Sequence, residues 1–192
     1  MVSKAKEDFP EPLRPVKTMS ESRGSSRYHT FLKNGFSVCR FNFRGVGKSE
    51  GKFDNGLGEL SDADAALDFI QRNNPNSNES WVIGFSFGSL ISMQLLMRRP
   101  EIFRFISISP QPNIFDFNFL APCPTSGMVI HGDQDQLVPK DTMGVLRDKL
   151  VSQKNITVDF HEIKGANHFF TSKEKELVDT IDTYIKKESR LF

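Results

Sequence analysis

The sequence predicts an α/β fold, a mostly parallel sheet doubly wound with helices on both faces. Two observations predict it. From residue 28 onward, runs of strand length alternate with runs of helical period. The strand runs are apolar on both faces, and only a sheet covered on two sides buries such strands. At 192 residues the chain suits one domain with a sizeable core.

Residues 1–27 stand apart. They hold Pro10, Pro12 and Pro15, many charges and few large apolar side chains, and neither period survives there. They read as an irregular N-terminal segment, disorder being one form of that. Residues 28–192 read as the folded domain. Residues 28–33 read as the last turns of a helix stopped by Asn34-Gly35. The aromatic and β-branched run 36–43 reads as a strand. A helix is expected from Ser61, with that serine as cap and Asp64 three residues on. Ala65, Ala66, Phe69 and Ile70 would form its apolar face. Residues 81–85 read as a short buried strand and 87–97 as a buried helix. Strands are expected at 103–109 and 127–131. Pro139 opens a helix carrying Met143, Leu146 and Leu150. Residues 156–163 read as a strand. Thr171 and Glu174 form a capping-box pair ahead of a helix with Leu177, Val178, Ile181 and Ile185 on one face.

The bulk numbers narrow the function. Lys and Arg total 25 against 24 Asp and Glu, so no general nucleic-acid or membrane-surface binding is expected. Cys39 and Cys123 lie in apolar surroundings and read as reduced, structural thiols. The longest apolar stretch, 90–97, contains Gln94 and is too short to span a bilayer. The N-terminus has no signal pattern, so the cytoplasm is the expected compartment. No spacing of His, Cys and carboxylates suggests a metal site, and no cofactor is expected.

In a parallel sheet the chemistry sits beyond the carboxyl ends of the strands. The loops to search follow Phe43, Phe85, Ser109, His131 and Ile163. The first is "RFNFRGVGKSEG", residues 40–51. Its Gly45-Val46-Gly47-Lys48-Ser49 looks like the end of a phosphate-binding loop. That reading needs a glycine where Asn42 stands, and a helix opening at the lysine. Glu50-Gly51-Lys52-Phe53-Asp54-Asn55-Gly56 reads as loop instead. The stretch is therefore taken as a turn after a strand.

The second loop is Gly84-Phe85-Ser86-Phe87-Gly88, a Gly-x-Ser-x-Gly sequence between an expected strand and an expected helix. The glycines permit a sharp turn that exposes the Ser86 hydroxyl, and the helix start aims N–H groups at a developing oxyanion. Such a serine needs a base, and the base needs an orienting group. Asp133 and Asp135 follow the strand ending at His131. Either can serve, and either can merely cap the next helix. Gly165-Ala166-Asn167-His168 follows the next strand and offers His168 as base. A lone histidine among phenylalanines is more often core. Three strand-end loops bearing Ser, Asp and His in that order is a rarer coincidence. His131 reads as structural.

On the stretches "FNFRGVGKSEG", "DNGLGEL", "GFSFGS", "ISISP", "FDFNFLAPCP", "HGDQDQLVP" and "GANHFF", the chain resembles the α/β-hydrolase superfamily, and within it small lid-poor bacterial serine hydrolases. The resemblance covers 28–192. It implies Ser86 as nucleophile between motif glycines Gly84 and Gly88, with the backbone N–H of Phe87 as an oxyanion donor. It implies His168 as base and Asp135 as acid, since the family's acid stands three residues before a Val-Pro pair. Asp133 becomes the alternative acid. The Arg-Gly-x-Gly-x-Ser stretch becomes the loop after the family's fourth strand, with no nucleotide role. Residues 111–120, "QPNIFDFNFL", stand where many relatives carry a large lid. Their phenylalanines read as core packing ahead of an acyl-pocket lining.

The family's sheet order is 1-2-4-3-5-6-7-8, and strands 4 to 8 are recognisable here. Strands 1 to 3, and the loop that supplies a second oxyanion donor, have no counterpart in residues 1–27. The amino-terminal third reads as lost or replaced. The expected function is hydrolysis of a small ester, thioester or amide through an acyl-Ser86 intermediate, impaired if that donor is missing. The alternative is a non-catalytic remnant that associates with itself or a partner. Without strand 3, residues 36–43 would pair directly with 81–85, or the open edges would pair with another chain.

Overall fold

The computed structural model describes residues 26–189. The segment expected to be irregular lies outside the described residues up to residue 25. The described chain forms two compact units, 26–77 with 181–189, and 78–180.

The first unit opens with α1 (Ser26–Lys33). It stops at Asn34-Gly35 as expected: Gly35 takes φ 83° and donates to the carbonyl of Leu32 at 3.1 Å. Asn34 is buried, and its Nδ2 donates to the carbonyl of Thr30 at 2.7 Å and to Asp182 at 2.8 Å. Among the described residues, 36–43 pair with no strand, so the expected strand is not seen there. Phe36, Val38, Cys39, Phe41 and Phe43 are half-buried and Ser37, Arg40 and Asn42 exposed, so any alternation changes phase at Cys39-Arg40. The rings of Phe41 and Phe43 meet edge to face at 5.2 Å.

The loop after Phe43 is built on an ion pair. Arg44 donates its backbone N–H to Asp62 at 2.9 Å and its Nη2 at 2.7 Å. The Asp62 side chain is 1% exposed. A Cβ at Gly58 would collide with the Arg44 guanidinium. Gly45, Gly47 and Gly51 all take positive φ, and Gly45 donates to the carbonyl of Glu50 at 2.9 Å. No helix follows Lys48, which removes the phosphate-loop reading. The next helix is α2 (Leu57–Arg72), one turn earlier than expected. Its start is fixed by the buried Glu59 carboxylate, which accepts from the N–H groups of Asp54 at 2.9 Å and Gly56 at 2.8 Å. Ser61 is therefore inside the helix. The buried face is Leu60, Ala63, Ala66 and Leu67, while Ala65, Phe69 and Ile70 are half-buried.

The second unit holds the sheet. Strands β1 (Ser80–Phe85), β2 (Ile102–Ile108), β3 (Gly127–Gly132) and β4 (Val158–Ile163) are all parallel and lie in the order β1-β2-β3-β4. This matches strands 5 to 8 of the family's order. Phe105, Ile106, Met128, Val129 and Ile130 are wholly buried in the two central strands. Among the described residues β1 is an edge strand. Ile83 and Phe85 are 43% and 37% exposed, so it is not the buried strand expected.

Helix α3 (Phe87–Leu96) follows β1 and is apolar almost all round, with Ile91, Met93, Leu95 and Leu96 buried. Helix α4 (Lys140–Val151) follows β3 directly after Pro139 and buries Met143, Leu146 and Leu150, as its sequence predicts. Helix α5 (Glu174–Glu188) buries Leu177, Ile181 and Ile185. Thr171 does not cap it. The helix starts at Glu174, and the Thr171 hydroxyl accepts instead from Asn167 Nδ2 at 3.1 Å.

Candidate active site

A parallel sheet in consecutive order brings every strand's carboxyl end to one side. The loops after β1, β2, β3 and β4 meet there. Ser86 follows β1 at φ 54°, ψ −119°, a conformation that side-chain-bearing residues rarely adopt. It is locked at both ends. Its N–H donates to the carbonyl of Ile108 at 2.8 Å, and its carbonyl accepts from Ser89 at 2.9 Å. The Ser89 hydroxyl, fully buried, bonds the carbonyls of Gly84 at 2.9 Å and Ile108 at 3.0 Å. A Cβ at Gly84 would collide with the carbonyl of Gly88, so the chain passes only with glycine at 84. Gly88 carries no such demand: among the described residues nothing lies within 4 Å of a Cβ built there. Phe87 is the first residue of α3, so its N–H is one that the helix leaves unbonded within itself.

His168 comes from the loop after β4 and Asp135 from the loop after β3. Asp135 Oδ2 lies 2.7 Å from His168 Nδ1, and both side chains are 3% exposed. The other carboxylate oxygen accepts from the N–H groups of Leu137 at 2.8 Å and Val138 at 3.1 Å. A carboxylate only accepts, so Nδ1 carries the imidazole proton and Nε2 presents a lone pair. Nε2 lies 2.9 Å from Ser86 Oγ. The chain of bonds runs carboxylate, imidazole, hydroxyl, and can pass the hydroxyl proton to Nε2. The rings of Phe85 and Phe169 lie 5.4 and 5.1 Å from the imidazole and shield it.

Asp133 is placed elsewhere. Its Oδ1 accepts from the N–H of Gly165 at 2.5 Å, strapping the histidine loop to the end of β3. Gln134 adds a bond to the carbonyl of Ala166 at 3.0 Å. Gly132 is glycine because a Cβ there would collide with that carbonyl. His131 stands near the end of β3 with its pKa lowered by burial, which favours the neutral imidazole. Cys39 and Cys123 are free thiols, each pushed up by burial.

Two residues after β2 escaped the sequence reading. Ser109 takes φ 46°, is fully buried, and donates its hydroxyl to the carbonyl of His168 at 3.1 Å. Gln111 brings its side-chain amide to 3.2 Å from Ser86 Oγ. The only available signal was their position just after a strand, in a loop where the phenylalanines drew the attention. Of those, Phe117 is core and Phe115 lies 5.8 Å from Phe87. Among the described residues no group of three His, Cys, Asp or Glu could hold a metal ion, and no helix is long and apolar enough to cross a membrane.

A parallel sheet flanked by helices, with a strained serine between strand and helix, defines an α/β hydrolase. The chain belongs to the family described as serine aminopeptidase, S33, whose model matches residues 22–121. It is 49% identical over 162 residues to the uncharacterized protein RP471 of Rickettsia prowazekii, covering 82% of this chain and 68% of that one. Among solved structures, ATU1826 of Agrobacterium tumefaciens, a protein of unknown function, is 50% identical with a TM-score of 0.82. That match covers 85% of this chain and 75% of the other. XC6422 of Xanthomonas campestris, a member of the α/β serine hydrolases without lid, is 28% identical with a TM-score of 0.75, covering 85% and 72%.

Proposed function

We propose that the protein is a serine hydrolase that cleaves a small ester, thioester or amide through an acyl-Ser86 intermediate. The observation that carries this reading is the continuous bond chain from Asp135 Oδ2 through His168 to Ser86 Oγ, at 2.7 and 2.9 Å. Ser86 Oγ attacks the substrate's carbonyl carbon while its proton moves to His168 Nε2. The carbonyl electron pair moves onto oxygen. Asp135 stabilises the imidazolium without taking its proton. The N–H of Phe87, at the start of α3, donates to the oxyanion. Collapse returns the pair to the carbonyl and expels the leaving group, which takes the proton from Nε2. Water then repeats the sequence on the acyl-serine, with His168 as base, and releases the acid. No cofactor or metal enters these steps. The reading places the reaction in the cytoplasm, where the two free thiols stay reduced. Steady-state hydrolysis of p-nitrophenyl acetate by purified wild type and Ser86→Ala tests it. The variant should lose turnover by several orders of magnitude; equal turnover in the two would end the proposal.

Self-association is a second property favoured by one observation. Strand β1, an edge strand among the described residues, carries the exposed apolar side chains of Ile83 and Phe85. Such an edge is a template for a second copy of the chain.

A further inference from the structure

From the bond geometry at Ser86 we infer that Gln111 is a catalytic residue, its side-chain amide donating a hydrogen bond to the oxyanion. This rests on the serine-hydrolase reading and adds to it. Ser86 Oγ lies 2.9 Å from His168 Nε2 and 3.2 Å from the Gln111 amide oxygen. The hydroxyl can donate only once. Asp135 fixes the imidazole proton on Nδ1, so Nε2 is an acceptor and takes the hydroxyl's single donation. With Oε1 toward Oγ, the amide is then a second acceptor facing lone pairs. Half a turn about its terminal bond brings the NH2 group there instead, and the bond network decides which end faces the hydroxyl. Among the described residues the Gln111 side chain has no other partner to lose by that turn.

The turn that carries Gln111 is fixed beside Ser86. Ser109 takes φ 46°, its N–H donates to the carbonyl of Ile130 at 2.8 Å, and its hydroxyl holds the histidine loop. This bends Pro110 and Gln111 away from the line of β2. The Gln111 carbonyl accepts from the N–H groups of Ile114 at 3.1 Å and Phe115 at 3.0 Å, closing the turn. Asn113 ties it to the acid loop through the carbonyl of Leu137 at 2.9 Å. Gln111 is thus fixed to the ends of β2 and β3 together. As Oγ bonds to the carbonyl carbon, its proton goes to Nε2 and the negative charge forms on the carbonyl oxygen. That oxygen sits one tetrahedral carbon from Oγ, within the reach of a donor already in contact with Oγ. The amide strengthens its bond as the charge develops, which lowers the barrier without tightening the ground state.

The test compares wild type, Gln111→Ala and Gln111→Glu for kcat and KM on p-nitrophenyl acetate, with melting curves and fluorophosphonate labelling rates for each. Glutamate keeps the size and the acceptor oxygen of glutamine and removes the donor. Gln111→Ala should lower kcat and the labelling rate about ten- to a hundredfold, with KM moving less than about threefold. Gln111→Glu should be at least as slow at neutral pH, because its charge opposes the oxyanion. Gln111→Glu with wild-type kcat would mean the amide acts as acceptor or filler, and overturns the inference. A faster Gln111→Ala would mean the amide restrains the Ser86 proton, and overturns it too. If Gln111→Glu fails to fold, Gln111→Ala decides alone. A wild type inert to ester and fluorophosphonate alike overturns the serine-hydrolase reading, and this one with it. An active wild type with unaffected variants overturns this one only.

Discussion

Ser86, at φ 54°, holds a conformation that costs about 1–3 kcal/mol in a residue with a side chain. The bond of the Ser86 N–H to the Ile108 carbonyl, that of the Ser89 N–H to the Ser86 carbonyl, and those of the Ser89 hydroxyl to the Gly84 and Ile108 carbonyls offset that strain. At this scale the two aspartates differ sharply. Asp135→Asn should lower turnover by about 10³–10⁴, since the amide no longer fixes the imidazole tautomer. Asp133→Asn keeps an oxygen for the Gly165 N–H and should retain most activity. Kinetics of the two purified variants check this, and a reversed ranking would exchange their roles. Ser86, His168 and a carboxylate at 133 or 135 were legible because each follows a strand in a glycine-bearing loop, and the choice of Asp135 came from the family resemblance. Ser89, Ser109 and Gln111 were not, because their contacts depend on how neighbouring strand ends align. Ile108, opposite Phe85, is what places Ser109 and Gln111 beside the elbow.

At the scale of elements, the helix and strand order was readable from residue 80 onward, and the failures lie where tertiary partners decide. Residues 36–43 have a strand's composition but pair with no strand among the described residues. The start of α2 was set by Glu59 reaching back to two N–H groups, a signal outweighed in the sequence by Ser61. The strand-to-helix turn after β1 makes its own prediction. Gly84→Ala drives a methyl into the carbonyl of Gly88 and should destabilise by about 1–3 kcal/mol. Gly88→Ala meets open space and should leave stability within about 1 kcal/mol. Urea unfolding of both variants separates the two glycines that the sequence motif treats alike.

For the whole molecule, two properties follow from charge and exposed surface. Asp182 is held down to about 2, first by the Lys186 bond at 2.8 Å, then by Asn34 and Lys33. A carboxylate lowered on folding adds stability above its ordinary range. That stability fades as pH falls from the ordinary carboxylate value toward about 2. With both lysines largely exposed, the contribution is on the order of 1 kcal/mol after solvent screening. Asp182→Asn should flatten that part of the acid unfolding curve, and an unchanged slope would remove Asp182 as a source of acid sensitivity. The exposed apolar side chains of Ile83 and Phe85 on β1 predict a mass above one chain in light scattering, falling when Ile83 is replaced by lysine.

The central claim is that Ser86 is an activated nucleophile. Its most direct test is fluorophosphonate labelling of wild type, Ser86→Ala and His168→Ala, with the modified peptide identified by mass spectrometry. The account predicts one adduct per chain on Ser86, none in Ser86→Ala, and labelling slowed by orders of magnitude in His168→Ala. An unlabelled wild type, or an adduct on another residue that persists in Ser86→Ala, would contradict it.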